Sequence, residues 1–332
     1  MSNPPYDPTT LDALPDFYAC QLASGDGVQT LSRDQIEIEP SDGFAWVHMR
    51  RDAPGNRALL DQLGLDAFVH EALIAEETRP RCTVHGNGAL ITLRGVNLNP
   101  GAEPEDMISV RLWVTSRRIV GVWLRPLRAV GDLLAAIERG QPPASPGEFV
   151  AKLALRLADR AEPSVAALNE TVDTLEEQVL DPRAALSREV LANVRRQAII
   201  LRRYMIPQRD ALSTFEIEDL DWLQDSDRSK LREAAERIFR LGEELDAIRD
   251  RAQIVHDQIM DRRAEGMNQR MLVLSIVSAI FLPLGLLTGL LGINVGGLPG
   301  VDWPPAFWVV TALIFALGGA LALLFRALGL FR

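Results

Sequence analysis

The sequence predicts a membrane protein that combines an N-terminal α/β domain, a long helical stalk and two transmembrane helices. Three observations lead to this fold class. Residues 271–291 and 306–325 are apolar runs without an ionisable side chain, each of about 20 residues, the length that crosses a bilayer as a helix. A charged amphipathic segment precedes the first run, and apolar strand-like groups separated by turn residues occupy the first half of the chain.

Acidic residues dominate the part of the chain before the apolar runs. The chain has 35 Lys and Arg against 45 Asp and Glu, and only three arginines and one aspartate lie beyond residue 265. Residues 1–265 therefore carry a net charge of about −12. Such a charge repels the phosphates of nucleic acids and concentrates cations, so the composition argues against a protein that binds DNA or RNA.

Residues 1–160 are expected to form the α/β domain. Short apolar groups indicate strands, and two pairs of them are expected to turn at Gly86–Gly88 and at Thr115–Arg118. Apolar residues at helical spacing indicate helices between and after the strands. The predicted strands lie near 16–22 and within 44–49, 82–96 and 108–124, and the predicted helices at 56–77, 130–138 and 148–161.

The cysteines and histidines of this domain form no metal-binding motif. Cys20 and Cys82 lack the spacing of a zinc site, and His48, His70 and His85 are not three or four residues apart. We interpret all five as structural or surface residues. The sequence also lacks nucleotide-binding, hydrolase and metalloprotease motifs, so we expect neither an enzyme nor a resident cofactor.

Residues 161–265 are expected to consist of long, charged helices. One helix is predicted from about Pro163 to Leu180 and a second from Ser187, with a kink at Pro207. These helices are too polar to be stable alone, so they are expected to pack against neighbours or copies.

The last helix of this region is expected to continue into the membrane. An acidic segment, residues 216–227, is interpreted as a solvated linker before it. From Ser226 no proline occurs until Pro283, which predicts one helix as far as Leu291, about 100 Å long at 1.5 Å per residue. This helix would join the cytosolic part of the chain to the first span.

Residues 266–332 are expected to form the transmembrane domain, with residues 292–305 as the loop between the spans. Arginines flank the spans on the side away from the loop, and the loop contains no Lys or Arg. By the positive-inside rule, both termini are predicted to be cytoplasmic and the loop to face outward from an inner or plasma membrane. The flanking arginines are Arg262, Arg263, Arg270, Arg326 and Arg332.

Two spans cannot enclose an aqueous path, so transport would require a homo-oligomer in which one span of each chain lines the axis. One stripe of the long helix suits this role, because it passes from carboxylates to an amide, apolar residues and hydroxyls. In a symmetric bundle each position becomes a ring that attracts cations or constricts the path. The alternative is a coiled-coil flank whose aspartates face solvent. The predicted pore-lining residues are Asp257, Asp261, Asn268, Met271, Leu274, Ser275, Ser278 and Leu282.

The tripeptide Gly292-Ile293-Asn294 separates the two apolar runs. Asn294 offers an uncharged carbonyl oxygen, and a ring of such oxygens can hydrogen-bond the water shell of a divalent cation. A long helix entering a proline-containing span, Gly-x-Asn at its outer end, a brief loop and a second span together resemble the CorA metal-ion transporter family. That family typically has Gly-Met-Asn and then an acidic Met-Pro-Glu-Leu loop. Here residues 295–300 read Val-Gly-Gly-Leu-Pro-Gly, which resembles the ZntB zinc-transporter branch.

The resemblance implies a homopentameric funnel with an α/β cytosolic domain and a pore lined by the first span. It implies an outer selectivity filter at Gly292, Ile293 and Asn294. It also implies an inner polar ring at Asn268, with apolar constrictions at Met271, Leu274 and Leu282. The residues expected to contact the metal are Asn294, Asp257 and Asp261.

The activity expected from the resemblance is proton-coupled uptake of a divalent cation, with Zn²⁺ favoured because the acidic loop is missing. Residues 271–291 contain no side chain that carries a proton, so coupling would need Asp257, Asp261, His256 or Asp302. One alternative is a channel for Mg²⁺, Co²⁺ or Ni²⁺ that is gated by cytosolic cation binding. The other is a two-span anchor of a regulatory domain that transports nothing. The expected partners are the lipid bilayer, divalent cations and further copies of the chain.

Overall fold

The structure, a computed structural model, divides into two compact units, Met1–His256 and Asp257–Arg332. The predicted three-part division at residues 160 and 265 stays a prediction. The structure describes residues 15–23, 27–36, 39–76, 79–181, 188–293, 300 and 303–329.

A seven-stranded mixed sheet forms the centre of the first unit. The strand order is β2-β1-β3-β7-β6-β5-β4, and every neighbouring pair is antiparallel except the parallel pair β3–β7. All the predicted strands are confirmed, and the short edge strand β2 was not predicted. The strands are β1 Phe17–Leu22, β2 Val28–Thr30, β3 Phe44–Arg50, β4 Arg81–His85, β5 Gly88–Gly95, β6 Ile108–Val114 and β7 Arg118–Trp123.

Seven α-helices accompany the sheet or follow it in the described residues. The long helix predicted from Ser226 to Leu291 is confirmed, since one helix of 67 residues begins at Asp225 and ends at Leu291. The helices are α1 Asn56–Gln62, α2 Ala67–Ile74, α3 Arg128–Glu138, α4 Pro146–Leu180, α5 Arg188–Ile217, α6 Asp225–Leu291 and α7 Ala306–Ala327.

The single helix predicted over 56–77 is wrong, because the structure has two helices there. Gly64 adopts a left-handed conformation, with φ of +62°, directly after α1. Asp66 then caps α2 by accepting a hydrogen bond of 2.8 Å from the backbone N–H of Phe68. A glycine that tolerates positive φ followed by an acidic N-cap ends one helix and starts the next.

The two helices predicted on either side of Pro163 are also wrong, because α4 is continuous through that proline. Proline inside a helix removes one hydrogen bond and costs about 3 kcal/mol. The buried stripe of α4 continues across it through Ala161, Val165 and Leu168. Burial of that stripe outweighs the local cost. The predicted start of α5 at Ser187 lies outside the described residues, and the kink at Pro207 stays a prediction.

The acidic segment 216–227 is only partly solvated, which corrects the predicted linker. Glu216 and Asp227 are buried, with 8 % and 2 % of their surface exposed. Arg232 forms an ion pair with Glu216, and the Ser145 hydroxyl donates to Asp227 Oδ1 over 2.5 Å. Two of the acids therefore tie the end of α5 and the start of α6 into the folded unit.

Helices cover both faces of the sheet. On one face α1 and α2 pack over an apolar cluster that includes Met49, Leu73 and Val122. On the other face Phe149 of α4 packs against Trp46 of β3, with ring centroids 4.8 Å apart. The sheet is thus the middle of three layers, in agreement with the predicted α/β class.

The histidines and cysteines take the predicted structural and surface positions. His48 is buried between Trp46 and Trp123, and burial lowers its pKa to about 3. His70 and His85 lie within 2.8 and 3.3 Å of aspartates on the surface. Cys20 and Cys82 are free thiols, and burial raises the pKa of each to about 12.

A buried polar network joins the first turn of α4 to α6. The Ser145 hydroxyl accepts from the backbone N–H of Glu148 over 3.0 Å, and the Glu148 carboxylate accepts from Lys230 and from the N–H of Ala144, each over 2.7 Å. Burial would raise the pKa of Glu148, but its hydrogen bonds to Lys230, Ala144 and Lys152 outweigh burial and lower it. The folded state therefore favours the ionised carboxylate.

We expect Glu148→Gln to lower the free energy of unfolding at pH 7 by about 2 kcal/mol, because the substitution leaves Lys230 without its buried anion. The pKa of Glu148 is lower in the folded state than its usual value of 4.5, so ionised Glu148 stabilises the fold above pH 4.5. This stabilisation is lost as the pH falls below 4.5 and Glu148 becomes protonated. The difference between the variant and the unsubstituted protein should therefore shrink below that pH. Unfolding curves at several pH values measure this. Glu177→Gln, an exposed residue of the same helix, is the control. A pH-independent difference would contradict the assignment.

Candidate ion pathway

The second unit contains the last part of α6 and all of α7. Each helix has a stretch long and apolar enough to cross a membrane, and almost none of that stretch is buried in the single chain. Lipid or further copies of the chain must therefore cover these surfaces. The two predicted spans are confirmed as apolar helices.

One side of α6 packs within the unit. Ile276 has only 5 % of its surface exposed, and Ile280, Pro283 and Leu287 are half-buried on the same side. Leu284 faces α7, since a Cβ atom on Gly318 would lie 3.4 Å from Leu284 Cδ1, an ordinary van der Waals contact.

The predicted pore-lining stripe lies on another side of α6. At about 100° per residue, its members within the first span, from Met271 to Leu282, are turned by about 100° or more from Ile276. Met271, Leu274 and Leu282 expose 59 %, 67 % and 72 % of their surface. Their position on a pore axis stays a prediction, and the single chain leaves that side uncovered. The stripe residues that are exposed are Asp257, Asp261, Asn268, Met271, Leu274, Ser275, Ser278 and Leu282.

Hydroxyl groups in the first span donate their protons to the helix backbone. Ser278 Oγ donates to the carbonyl of Leu274 over 2.9 Å, and Thr288 Oγ1 donates to the carbonyl of Leu284 over 3.0 Å. Each hydroxyl oxygen therefore keeps lone pairs that can accept from water or face a cation. Thr288 was not among the predicted residues, although a threonine in an apolar run was a visible signal.

The backbone at the end of the first span explains why the Gly-x-Asn motif begins with glycine. The N–H of Gly292 donates to the carbonyl of Thr288 over 2.9 Å, just after α6 ends. A Cβ atom at Gly292 would lie 2.9 Å from the same carbonyl oxygen, so any larger residue would displace the backbone. Ile293 is exposed at 47 %. The predicted filter residue Asn294 and the predicted coupling residue Asp302 lie outside the described residues.

Oxygen-bearing side chains cluster before the first span. Asp261, Glu265, Asn268 and Gln269 line a shallow cavity of about 420 Å³ on α6. Glu265 and Gln269 were not predicted, although the spacing 261, 265, 269 follows one helix face. Among the described residues, no three His, Cys, Asp or Glu side chains are placed to hold a metal ion.

His256, predicted as a proton-coupling candidate, is half-buried at the end of the first unit, and Asp257 is exposed at the start of the second. Neither belongs to a cluster of metal ligands among the described residues. Coordination at these positions would therefore need the same residue from several chains.

A comparison with known proteins assigns the family. A family model described as "CorA-like Mg2+ transporter protein" matches residues 41–326. The chain belongs to the CorA-like family. It is a membrane transporter by family and not an enzyme, as the absence of catalytic motifs predicted.

Relatives within the CorA-like family match nearly the whole chain. "Divalent cation transporter CmaX" of Pseudomonas aeruginosa is 40% identical over 90% of this chain and 91% of its own length. "Zinc transport protein ZntB" of Pectobacterium atrosepticum is 35% identical over 92% of this chain and 93% of its own. A solved structure of full-length CmaX, 39% identical, superposes with a TM-score of 0.81 over 94% of this chain and 97% of that one. The predicted resemblance to the CorA family and its fold class are confirmed.

Proposed function

We propose that this CorA-like chain takes up a divalent cation, Zn²⁺ foremost, along the axis of a homo-oligomer that is pentameric by resemblance. The observation that supports the pathway most directly is the exposed stripe of α6, which offers carboxylates, an amide, apolar residues and hydroxyls in that order. In a rotationally symmetric assembly each of these positions becomes a ring. Carboxylate rings attract cations, and apolar rings gate by dewetting.

The choice of Zn²⁺ has two supports. One relative is named a zinc transport protein, although another is named only a divalent cation transporter. The outer segment 295–300 has no acidic residue, so it attracts Mg²⁺ less than the acidic loop typical of magnesium transporters. Zinc ligands such as Cys, His and carboxylates are absent from residues 271–291, so the ion would pass there in hydrated form.

The proposed orientation places both chain termini in the cytoplasm of a cell whose inner or plasma membrane holds the two spans. Arg262, Arg263 and Arg270 precede the first span, and Arg326 follows the second. The loop between the spans has no Lys or Arg. This distribution is the one that the positive-inside rule associates with cytoplasmic termini.

Flux measurements test this function. Purified protein in liposomes should take up Zn²⁺ faster than Mg²⁺, Co²⁺ or Ni²⁺, and faster with a proton gradient directed inward. Faster Mg²⁺, Co²⁺ or Ni²⁺ flux without pH dependence would favour the channel alternative. Zero flux of every ion would favour the two-span regulatory anchor. The CorA-like assignment argues against that anchor.

Proton coupling is expected to depend on four groups, because the first span has no ionisable side chain of its own. A quadruple variant that neutralises them should lose the pH dependence of Zn²⁺ uptake. Retained pH dependence would refute this part of the proposal. The substitutions are Asp257→Asn, Asp261→Asn, His256→Ala and Asp302→Asn.

A matched control removes negative charge elsewhere on α6. Glu233, Glu236 and Glu243 are exposed on the earlier part of the same helix. Their triple replacement with glutamine should leave the pH dependence of uptake unchanged. An equal loss in this control would indicate a general charge effect and not proton transfer.

A further inference from the structure

A cavity rich in arginine lies between the edge strand β4 and helix α5. Its volume is about 500 Å³, within the range of small-molecule sites. Arg79 lies just before β4, Arg81 begins β4, and Arg202 and Arg203 come from the middle of α5. Four guanidinium groups thus converge in a unit whose overall charge is strongly negative. The remaining lining residues are Pro80, Cys82, Ile206, Pro207, Asp210, Ala211 and Thr214.

The acidic residues near the cavity do not neutralise all of this charge. Arg202 is paired with Asp246 at 2.5 Å, and Asp210 accepts from Arg209 at the same distance. Arg203 donates to the hydroxyl of Tyr204 over 2.9 Å. In the contacts of the described residues, neither Arg79 nor Arg203 bonds a carboxylate. Two of the four arginines that line the cavity therefore have no carboxylate partner among the described residues, although the charge of Glu218 acts on Cys82 of the lining.

A buried arginine, Arg111, lies on the face of the sheet that α2 covers, where it donates to the carbonyl of Ala75. Arg81 and Arg111 flank Thr92 in the sheet register, so the three share one face across β4, β5 and β6. Arg111 is 1 % exposed, and its Nε and Nη1 have no hydrogen-bond partner. Burial, and then the like charges of Arg51, Arg94 and Arg81, lower the pKa of Arg111 to about 10. The positive charges of Arg81 and Arg111 therefore repel each other at this end of the sheet.

We propose that the arginine cavity binds a phosphate-bearing anion of about nucleotide size. Guanidinium groups match the oxygens of a phosphate in a planar, bidentate geometry and keep their charge at all physiological pH values. Ile206, Pro207 and Ala211 supply an apolar wall for the organic part of such a ligand. The source is a soluble phosphate ester or a lipid headgroup, which share this chemistry. The site is independent of the proposed ion pathway.

Isothermal titration of the full-length protein in detergent tests the proposal with three metal-free probes. ATP and pyrophosphate represent soluble phosphates, and short-chain phosphatidylglycerol in the detergent micelle represents a lipid headgroup. At least one probe should bind saturably, and the tightest one identifies the source. The double variant Arg79→Ala/Arg203→Ala should weaken that binding at least tenfold, since two phosphate-directed charges are lost. Both residues are exposed, so the variant should fold. Arg203→Glu alone should have the same effect.

The control variant Arg195→Ala/Arg240→Ala removes two exposed arginines of α5 and α6 outside the cavity. Its affinity for the probe should stay within about twofold, because both side chains are exposed and neither lines the cavity. Equal weakening in both double variants would overturn the proposal. So would the absence of saturable binding of every probe up to about 1 mM, the weak limit of a useful site. Neither result depends on ion flux, so the transport proposal is tested separately.

Discussion

Replacing Asn294 with alanine is expected to reduce divalent-cation flux at least tenfold without unfolding the protein. The resemblance to CorA-type transporters places this side chain at the outer mouth, where one carbonyl oxygen per chain would hydrogen-bond the water shell of the entering ion. In a homo-oligomer the substitution removes this carbonyl oxygen from every chain, so the entering ion loses all the hydrogen bonds of the ring. Zn²⁺ uptake by proteoliposomes, normalised to the amount of reconstituted protein, measures the effect.

Two further variants distinguish the ring from a general defect in the membrane domain. Thr311→Ala removes a polar group from α7 and should leave flux within about twofold of the unsubstituted rate, because α7 is not expected to line the path. Asn294→Asp keeps an oxygen and adds negative charge, so it should retain uptake of divalent cations. Unsubstituted rates in Asn294→Ala would remove this residue from the filter.

Gly121→Ala is expected to cost about 3 kcal/mol of folding free energy and to lower the melting temperature by several degrees. Gly121 lies in β7, at the centre of the sheet. A Cβ atom there would be 2.4 Å from Nδ1 of His48 and 3.3 Å from Leu112 Cδ2. His48 packs between Trp46 and Trp123, and only 3 % of its surface is exposed. Thermal unfolding of the full-length protein in detergent measures the change.

The cause of this loss can be isolated by a double-mutant cycle. In a His48→Ala background the ring is gone, so adding the methyl group at position 121 should cost less than about 1 kcal/mol. Gly266→Ala is the control, because nothing lies within 4 Å of its would-be Cβ and alanine favours the helix. An unchanged cost in the His48→Ala background would show that the clash with His48 is not responsible.

Most helices and strands of this fold could be predicted because the residues that determine them lie close together in the sequence. The hairpin at Gly86 depends on a positive φ of 57° next to two apolar strands, and both signals are visible in the sequence. The end of α1 at Gly64 has a similar signal, but the apolar helical spacing continued through it and concealed the break. At Pro163 a helix boundary was predicted where none exists, because proline is common in the first turn of a helix. Helix α4 continues through Pro163 because its apolar side is buried in the tertiary structure.

The predicted pore-lining residues, which stay a prediction, follow from helical periodicity in the sequence, whereas sites built by distant segments could not be predicted. Asp261 and Asn268 share a helix face at a spacing that the sequence shows directly, and Glu265 and Gln269 beside them were overlooked. The burial of Asp227 depends on Ser145, 82 positions earlier in the chain. The arginine cavity likewise joins β4 to α5. Such pairings follow from topology, which one sequence without homologues does not specify.

The parallel pairing of β3 with β7 has a consequence for the order of events during synthesis. Strand β3 can pair with β1, and strands β4 to β6 can pair with one another, as soon as each group is synthesised, because these strands are close in sequence. The second edge of β3 stays unpaired until β7 has been synthesised, because Ala45 pairs with Arg118. All seven strands precede residues 271–291 in the chain, so the sheet can become continuous before the first span is made. A substitution that delays this closure would leave the edge of β3 open when the first span emerges, and open strand edges beside an apolar nascent segment promote aggregation.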